Sequence, residues 1–352
     1  MKAYTKLKEG RNDLRTVIPL AKPYTVLVEP SNFCNFRCVS CFQSLHSANY
    51  ITEHRKQMSL EQFQIIIDQL KAWEGGRLKV LKLSLYGEPF TNPHFCEMLR
   101  IAKQADIAER IETTTNASLI TDEIARCLVD YGIDYIRVSI YGGNQERYRE
   151  VTGVESADID VICRNLERIK TYKCEKKAEA PFVSAKMLDT FTSENEEFVR
   201  RFSAVADETY IDTPHNWVAA EEKSFLESLY TSPEKLQQMK ASREKDYRDR
   251  KSCPMPFTTL AIRADGMVSP CCIDWMGGTN LASLEEMSLR EVWEGFSMYA
   301  FRKMQLEGRN QENPSCKNCE FYKSSYYMLD DIDGFPVEKL SVPPKKSAAK
   351  KE

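Results

Sequence analysis

The sequence of 352 residues has no long apolar run; stretches such as Val26–Val28 and Ile65–Ile67 are its typical length. A bilayer span needs roughly 20 apolar residues, so no membrane helix is expected. It has no excess of one charge, since 49 basic and 52 acidic side chains leave −3. That balance argues against a general nucleic-acid surface. Its start, MKAYTKLKEGRNDLR, is charged where a signal peptide needs an apolar core, so a cytoplasmic location is expected. No internal repeat is visible, and there are only four histidines. What remains, 42 % hydrophobic and 29 % charged residues, is the composition of a soluble globular chain with a large core. Its length suggests about two domains.

Cysteine, by contrast, is abundant, at 12 residues. Disulfides are disfavoured in a reducing compartment, so clustered cysteines there point to metal or redox chemistry.

Six β-rich runs alternate with helical patterns: Thr25–Glu29, Lys79–Tyr86, Ile111–Thr115, Tyr135–Tyr141, Phe182–Met187 and Thr209–Asp212. Between them, Leu60–Trp73 places Phe63, Ile66, Ile67, Leu70 and Trp73 on the 3.6 period. Ser59 with Gln62, and Ser193 with Glu196, read as capping boxes. Thr121–Tyr131 and Ile159–Tyr172 fill further gaps as helices. Such alternation predicts an α/β fold with parallel strands, either an open sheet or a partial barrel, and reactive residues at the C-terminal strand ends. The expected divisions are an N-terminal extension over 1–23, a barrel over 24–218, a charged helical linker or insertion over 219–252, a cysteine-rich domain over 253–330 and a disordered tail over 331–352.

Cys34, Cys38 and Cys41 follow the first strand with the spacing C-x3-C-x2-C. Three thiolates on one loop suit three irons of a 4Fe–4S cluster and leave the fourth iron open. A structural zinc site, with His46 as the nearest further ligand, is the competing assignment. Downstream, Cys253, Gly266, Cys271, Cys316 and Cys319 form C-x12-G-x4-C followed by C-x2-C. Four thiolates can close a second cluster or bind a structural zinc. Cys272 could replace Cys271, although the glycine spacing favours Cys271. Cys96, Cys127, Cys163 and Cys174 are scattered and read as packing residues.

The first cysteine run, with Tyr86-Gly87-Glu88-Pro89 after the second strand, Asn116 after the third and Ser139 on the fourth, resembles the radical S-adenosylmethionine (radical SAM) superfamily. The resemblance covers about residues 24–215 and implies a partial (β/α)6 barrel. It implies that Tyr86, Gly87, Glu88, Asn116 and Ser139 contact SAM, with Phe42 near adenine in place of the usual aromatic at Ser40. Tyr86 stands where the family motif has its first glycine. The second cysteine set resembles the auxiliary-cluster extensions known as SPASM and twitch domains. No cysteine follows Cys319, and Ser325 stands six residues beyond it, which favours one auxiliary cluster. The spacing is similar to that of radical SAM dehydrogenases acting on aminocyclitols.

The resemblance implies two 4Fe–4S clusters, SAM, and a reduced flavodoxin or ferredoxin as donor. It implies hydrogen abstraction by a 5′-deoxyadenosyl radical from a small sugar or aminocyclitol, with the auxiliary cluster accepting the second electron. His215, Lys186 and Arg137, near strand ends, are the candidates for the base that takes the hydroxyl proton. The alternative is modification of a peptide by crosslinking, epimerisation or formylglycine formation.

Overall fold

The computed structural model describes residues 12–44, 55–213, 229–230, 232–246, 248–324 and 328–343. Its sheet has nine strands: β1 (Thr25–Val28), β2 (Val80–Leu83), β3 (Ile111–Thr115), β4 (Tyr135–Ile140), β5 (Phe182–Leu188), β6 (Glu208–Asp212), β7 (Thr259–Ile262), β8 (Met267–Ser269) and β9 (Ala282–Ser283). The order is β6-β5-β4-β3-β2-β1-β7-β8-β9, with β1 to β6 parallel and in chain order. The edges do not meet, so the sheet is an open, partial barrel rather than a closed one.

Helices fill the crossovers: α1 (Leu60–Ala72), α2 (Phe95–Ala105), α3 (Asp122–Asp130), α4 (Gln145–Thr152), α5 (Ile159–Lys176) and α6 (Glu194–Phe202). The Ser59–Gln62 capping box starts α1, and Phe63, Ile66, Ile67 and Leu70 are its buried stripe. Ser193 departs from expectation. Its backbone is already helical and its side chain caps nothing, because a cap oxygen reaches the N–H groups only from extended backbone. In β2 and β4 burial alternates strictly, with Leu81, Leu83, Ile136, Val138 and Ile140 packed under the helices. The opposite face, Lys82, Arg137 and Ser139 among its residues, lines the barrel interior.

Three other expectations change. The second strand stops at Leu83, so Ser84 to Gly87 are loop. Cys96 on α2 and Cys127 on α3 form a disulfide, because adjacent helices bring their Cα atoms to 5.8 Å, within bridging range. Residues 331–343 are not a loose tail: Ile332, Phe335 and Leu340 are buried with Leu14, Ile18 and Phe257.

The C-terminal region is joined to the barrel by its sheet. Strand β7 runs parallel to β1 in the register Thr25↔Thr259 to Val28↔Ile262. Strands β8 and β9 then continue antiparallel. Gly266 explains its place in the cysteine spacing: it has φ +84° in the tight β7–β8 turn, a conformation glycine adopts without strain. After a helix α7 (Pro233–Asp246), the helices α8 (Leu289–Glu294) and α9 (Phe296–Leu306) complete this region. The N–H of Leu289 donates to Gln69 of α1 at 2.7 Å, and the Trp293 indole donates to the Leu20 carbonyl at 2.8 Å.

At the end of β1 the wholly buried Glu29 accepts the Tyr86 N–H at 2.9 Å and the Ala264 N–H at 3.0 Å. Burial raises its pKa from 4.5 to about 7. An acid whose pKa rises on folding holds more protons folded than unfolded, so stability falls as pH climbs through that window and is level above it. The expected loss between pH 4.5 and about 7 is up to about 3 kcal/mol. Denaturant unfolding of the cluster-free protein measures it. Glu29→Gln should flatten this part of the slope, because the amide does not titrate. A slope unchanged by the substitution contradicts the assignment.

Candidate functional site

The first cysteine loop leaves the C-terminal end of β1. Its turn is held by Cys41 N–H to the Cys38 carbonyl at 2.9 Å and by the Ser44 hydroxyl to the same carbonyl at 2.8 Å. The N–H groups of Arg37 and Val39 bond the Thr152 and Val151 carbonyls of α4, each at 2.9 Å. Cys34, Cys38 and Cys41 are all unpaired thiols, close enough to act on one another's charge. Burial pushes Cys34 up to about 11, Cys41 up to about 12 and Cys38 well above its ordinary value. Such thiols ionise only against a bound cation, so loading the loop with metal releases protons. The Tyr141 hydroxyl lies beside Cys38 and Ser139, which puts Ser139 in reach of this loop.

The Gly87 turn packs directly against it. A Cβ at Gly87 would lie 2.3 Å from the Ser31 carbonyl oxygen and 2.5 Å from that of Phe33. The Glu88 N–H bonds that Phe33 oxygen at 2.7 Å. The Glu88 carboxylate accepts from the Thr115 hydroxyl at 2.7 Å, the Asn116 N–H at 2.8 Å and the Phe90 N–H at 3.3 Å. Its side chain therefore braces the turn after β2 against β3. Asn116 is also a brace, donating to the Asn35 side chain of the cysteine loop at 2.9 Å.

Phe42 is 1 % exposed. It stacks on Trp275 with centroids 5.3 Å apart and meets the Tyr86 ring edge-on at 5.5 Å. In this structure the ring is enclosed by a C-terminal tryptophan and Tyr86. A small cleft lies at the ends of β4 and β5, against Ile140, Tyr141, Met187, Leu188 and Tyr230.

Inside the barrel, Lys186 on β5 pairs with Asp212 on β6, and Lys82 on β2 lies 3.7 Å from Glu112 on β3. Arg137 on β4 is near both lysines. The four paired side chains keep 15–23 % of their surface exposed, so the interior is hollow enough to admit water. Burial, ahead of repulsion by Arg137, lowers Lys82 to about 8. Burial also lowers Lys186, against the pull of Asp212. Sequence reasoning identifies Lys186 and Arg137 but misses Lys82, whose signal is a lysine at an interior position of an otherwise apolar strand. His215 lies outside the described residues.

The second cysteine set gathers at the far end of β8. Cys253, Cys271, Cys272, Cys316 and Cys319 are unpaired and electrostatically coupled. Asp274 ties the Cys271 loop to the Cys316 turn: it accepts from Ser269 at 2.9 Å, from the Thr279 N–H at 3.2 Å and from Ser315. Cys316 Sγ accepts from Gln305 at 3.4 Å, and Cys271 Sγ accepts the Ile273 N–H at 3.2 Å. The Cys272 thiol feels Lys82 and Arg137, so this centre borders the barrel interior. Among the described residues no group of three or more His, Cys, Asp or Glu closes round a single metal ion. A single zinc needs all its ligands in one shell, whereas a cluster spreads its thiolates over separate irons.

Residues 28–197 match the Radical SAM superfamily, and residues 253–320 match SPASM, an iron–sulfur cluster-binding domain. The chain thus carries a radical SAM domain followed by a C-terminal SPASM domain. A probable GTP 3′,8-cyclase of Metallosphaera sedula is 28 % identical over 242 residues, covering 66 % of this chain and 70 % of that protein. Among solved structures, BtrN with AdoMet and 2-DOIA superposes with TM-score 0.50 at 17 % identity, covering 85 % of this chain and 93 % of BtrN. Streptococcus suis SuiB bound to precursor peptide SuiA gives 0.59 at 16 %, covering 90 % and 73 %. These two likenesses establish the fold.

The radical SAM domain implies SAM and a 4Fe–4S cluster, and the SPASM domain implies auxiliary iron–sulfur binding. The residues present fit: three free thiols on the first loop, five from three segments in the C-terminal region, and the buried hydroxyls of Ser84 and Thr114, without partners among the described residues. Gly87→Ala forces its methyl group into backbone oxygens. Reconstituted G87A should retain roughly half the iron of the parent, the auxiliary share, by iron analysis and electron paramagnetic resonance. Full iron at the first loop contradicts the close packing of the two turns.

Proposed function

We propose that this enzyme oxidises a secondary alcohol of a polyhydroxylated small molecule, a sugar or cyclitol, to a ketone. One observation carries the reading: both cysteine sets border one polar barrel interior, Cys38 through Tyr141 and Ser139, and Cys272 through Lys82 and Arg137. A chamber between two redox centres suits a two-electron oxidation. BtrN, which shares the fold, was crystallised with 2-DOIA, and that supports a small polar substrate.

When bound, SAM and the first cluster supply a radical that removes one hydrogen atom from a C–H bond, and the auxiliary cluster supplies a one-electron acceptor. Cys34, Cys38 and Cys41 hold the first cluster; Cys253, Cys271, Cys316 and Cys319 hold the second. The backbone of Tyr86 and Gly87, with Ser139, orients SAM. Lys186, deprotonated more readily because it is buried, takes the hydroxyl proton, and Asp212 stabilises the resulting ammonium. The helices and β7 keep bulk water from the reacting carbon. The reading includes a cytoplasmic location and a flavodoxin or ferredoxin donor. Among the described residues no helix is long and apolar enough to cross a membrane.

The test is an anaerobic assay of the reconstituted enzyme with SAM, reductant and a panel of polyols, read by mass spectrometry. Ketone and 5′-deoxyadenosine should appear in equal amounts. Cys316→Ala/Cys319→Ala should still cleave SAM while ketone yield drops more than about ten-fold, the rate effect of losing about 1.4 kcal/mol. Ketone formation that survives loss of the auxiliary cysteines contradicts the proposal. So does a peptide that turns over where no polyol does.

A further inference from the structure

The barrel interior holds one cation that no acid there pairs with among the described residues. Glu112 is shared, since Arg110 lies 3.1 Å from it while Lys82 is 3.7 Å away. Asp212 belongs to Lys186, and the Glu208 carboxylate accepts the Ser184 hydroxyl at 2.9 Å. These contacts take up the three acids and leave Arg137 over. Arg137 has no ion pair among the described residues, and its Nε is buried without a hydrogen-bond partner. A buried N–H left without a partner is costly, and the chain keeps this one on the half-buried Arg137, on the strand that also carries Ser139.

We propose that Arg137, with Lys82 beside it, binds an anionic group of the substrate, a carboxylate or a phosphate ester. The planar guanidinium matches either anion with paired hydrogen bonds. Lys82 is the second donor because its carboxylate is the one held by Arg110. Arg137 stands two residues before Ser139 on one face of β4, so an anion seated there leaves the rest of a sugar-sized molecule alongside Ser139 and Lys186. An aminocyclitol carries the wrong charge for this anchor; a sugar acid or sugar phosphate carries the right one. The proposal rests on the reading that the barrel interior is the substrate chamber.

The experiment is calorimetric titration of the reconstituted, SAM-loaded enzyme with glucose, glucuronate and glucose 6-phosphate, without reductant. At least one anionic sugar should bind at concentrations where glucose does not, and which of them binds decides between carboxylate and phosphate. Arg137→Gln should weaken that binding by roughly ten-fold or more, the worth of a charged hydrogen bond, with Lys82→Gln acting in the same direction. Should R137Q lose iron, K82Q carries the comparison. Equal binding of glucose, no binding of either anion, or binding unaffected by both variants overturns the proposal. A shift in auxiliary-cluster potential with anion binding intact overturns it too, assigning Arg137 to the cluster. Because no turnover is involved, failure here is distinct from failure of the ketone assay.

Discussion

One buried carboxylate, Glu29, organises the junction on which both redox centres depend. It stands where β1 ends and the first cysteine loop begins. One oxygen takes the Tyr86 N–H and the other the Ala264 N–H. The Tyr86–Glu88 turn sits against the cysteine loop, and Ala264 follows β7, which carries the auxiliary region. A charged group at this depth is tolerated only because both oxygens are satisfied. Burial nonetheless leaves its pKa near neutrality.

From that junction the two domains become mutually dependent. Because β7 pairs with β1, the C-terminal region extends the barrel's own sheet. The Phe42–Trp275 stack and the Tyr86 ring then seal the seam directly above the cysteines. Tyr86 replaces a glycine of the family motif, and its bulk has a use: the ring fills the space between Phe42 and the auxiliary region. Cys271 and Cys272 in turn sit at fixed positions, since Asp274 bonds three separate segments around them. Electron transfer between a substrate and a distant acceptor needs such rigidity more than it needs any one contact.

The sequence makes much of this legible. Alternating β-rich and 3.6-period segments suffice to place β1 to β6 in order, since parallel strands joined by helices have few alternatives. The cysteine spacings are legible because a cluster demands several thiolates at short range, and Gly266 because the β7–β8 turn needs a positive φ. Strand β7 is not legible: Thr259–Ile262 carries no signal of a partner more than two hundred residues away. The roles of Glu88 and Asn116 are hidden for a related reason. A motif identifies a residue that the site needs, but only geometry shows the bracing bonds it makes. Lys82 illustrates the converse, since its one local signal is a lysine inside an otherwise apolar strand.

The measurement that bears most directly on the two-centre account is iron, sulfide and zinc per chain, on anaerobically reconstituted protein and on a Cys34/Cys38/Cys41→Ala variant. Two 4Fe–4S clusters predict roughly eight irons for the parent and roughly four for the variant, without zinc. Zinc in both proteins, or an iron content that the variant leaves unchanged, would contradict the account.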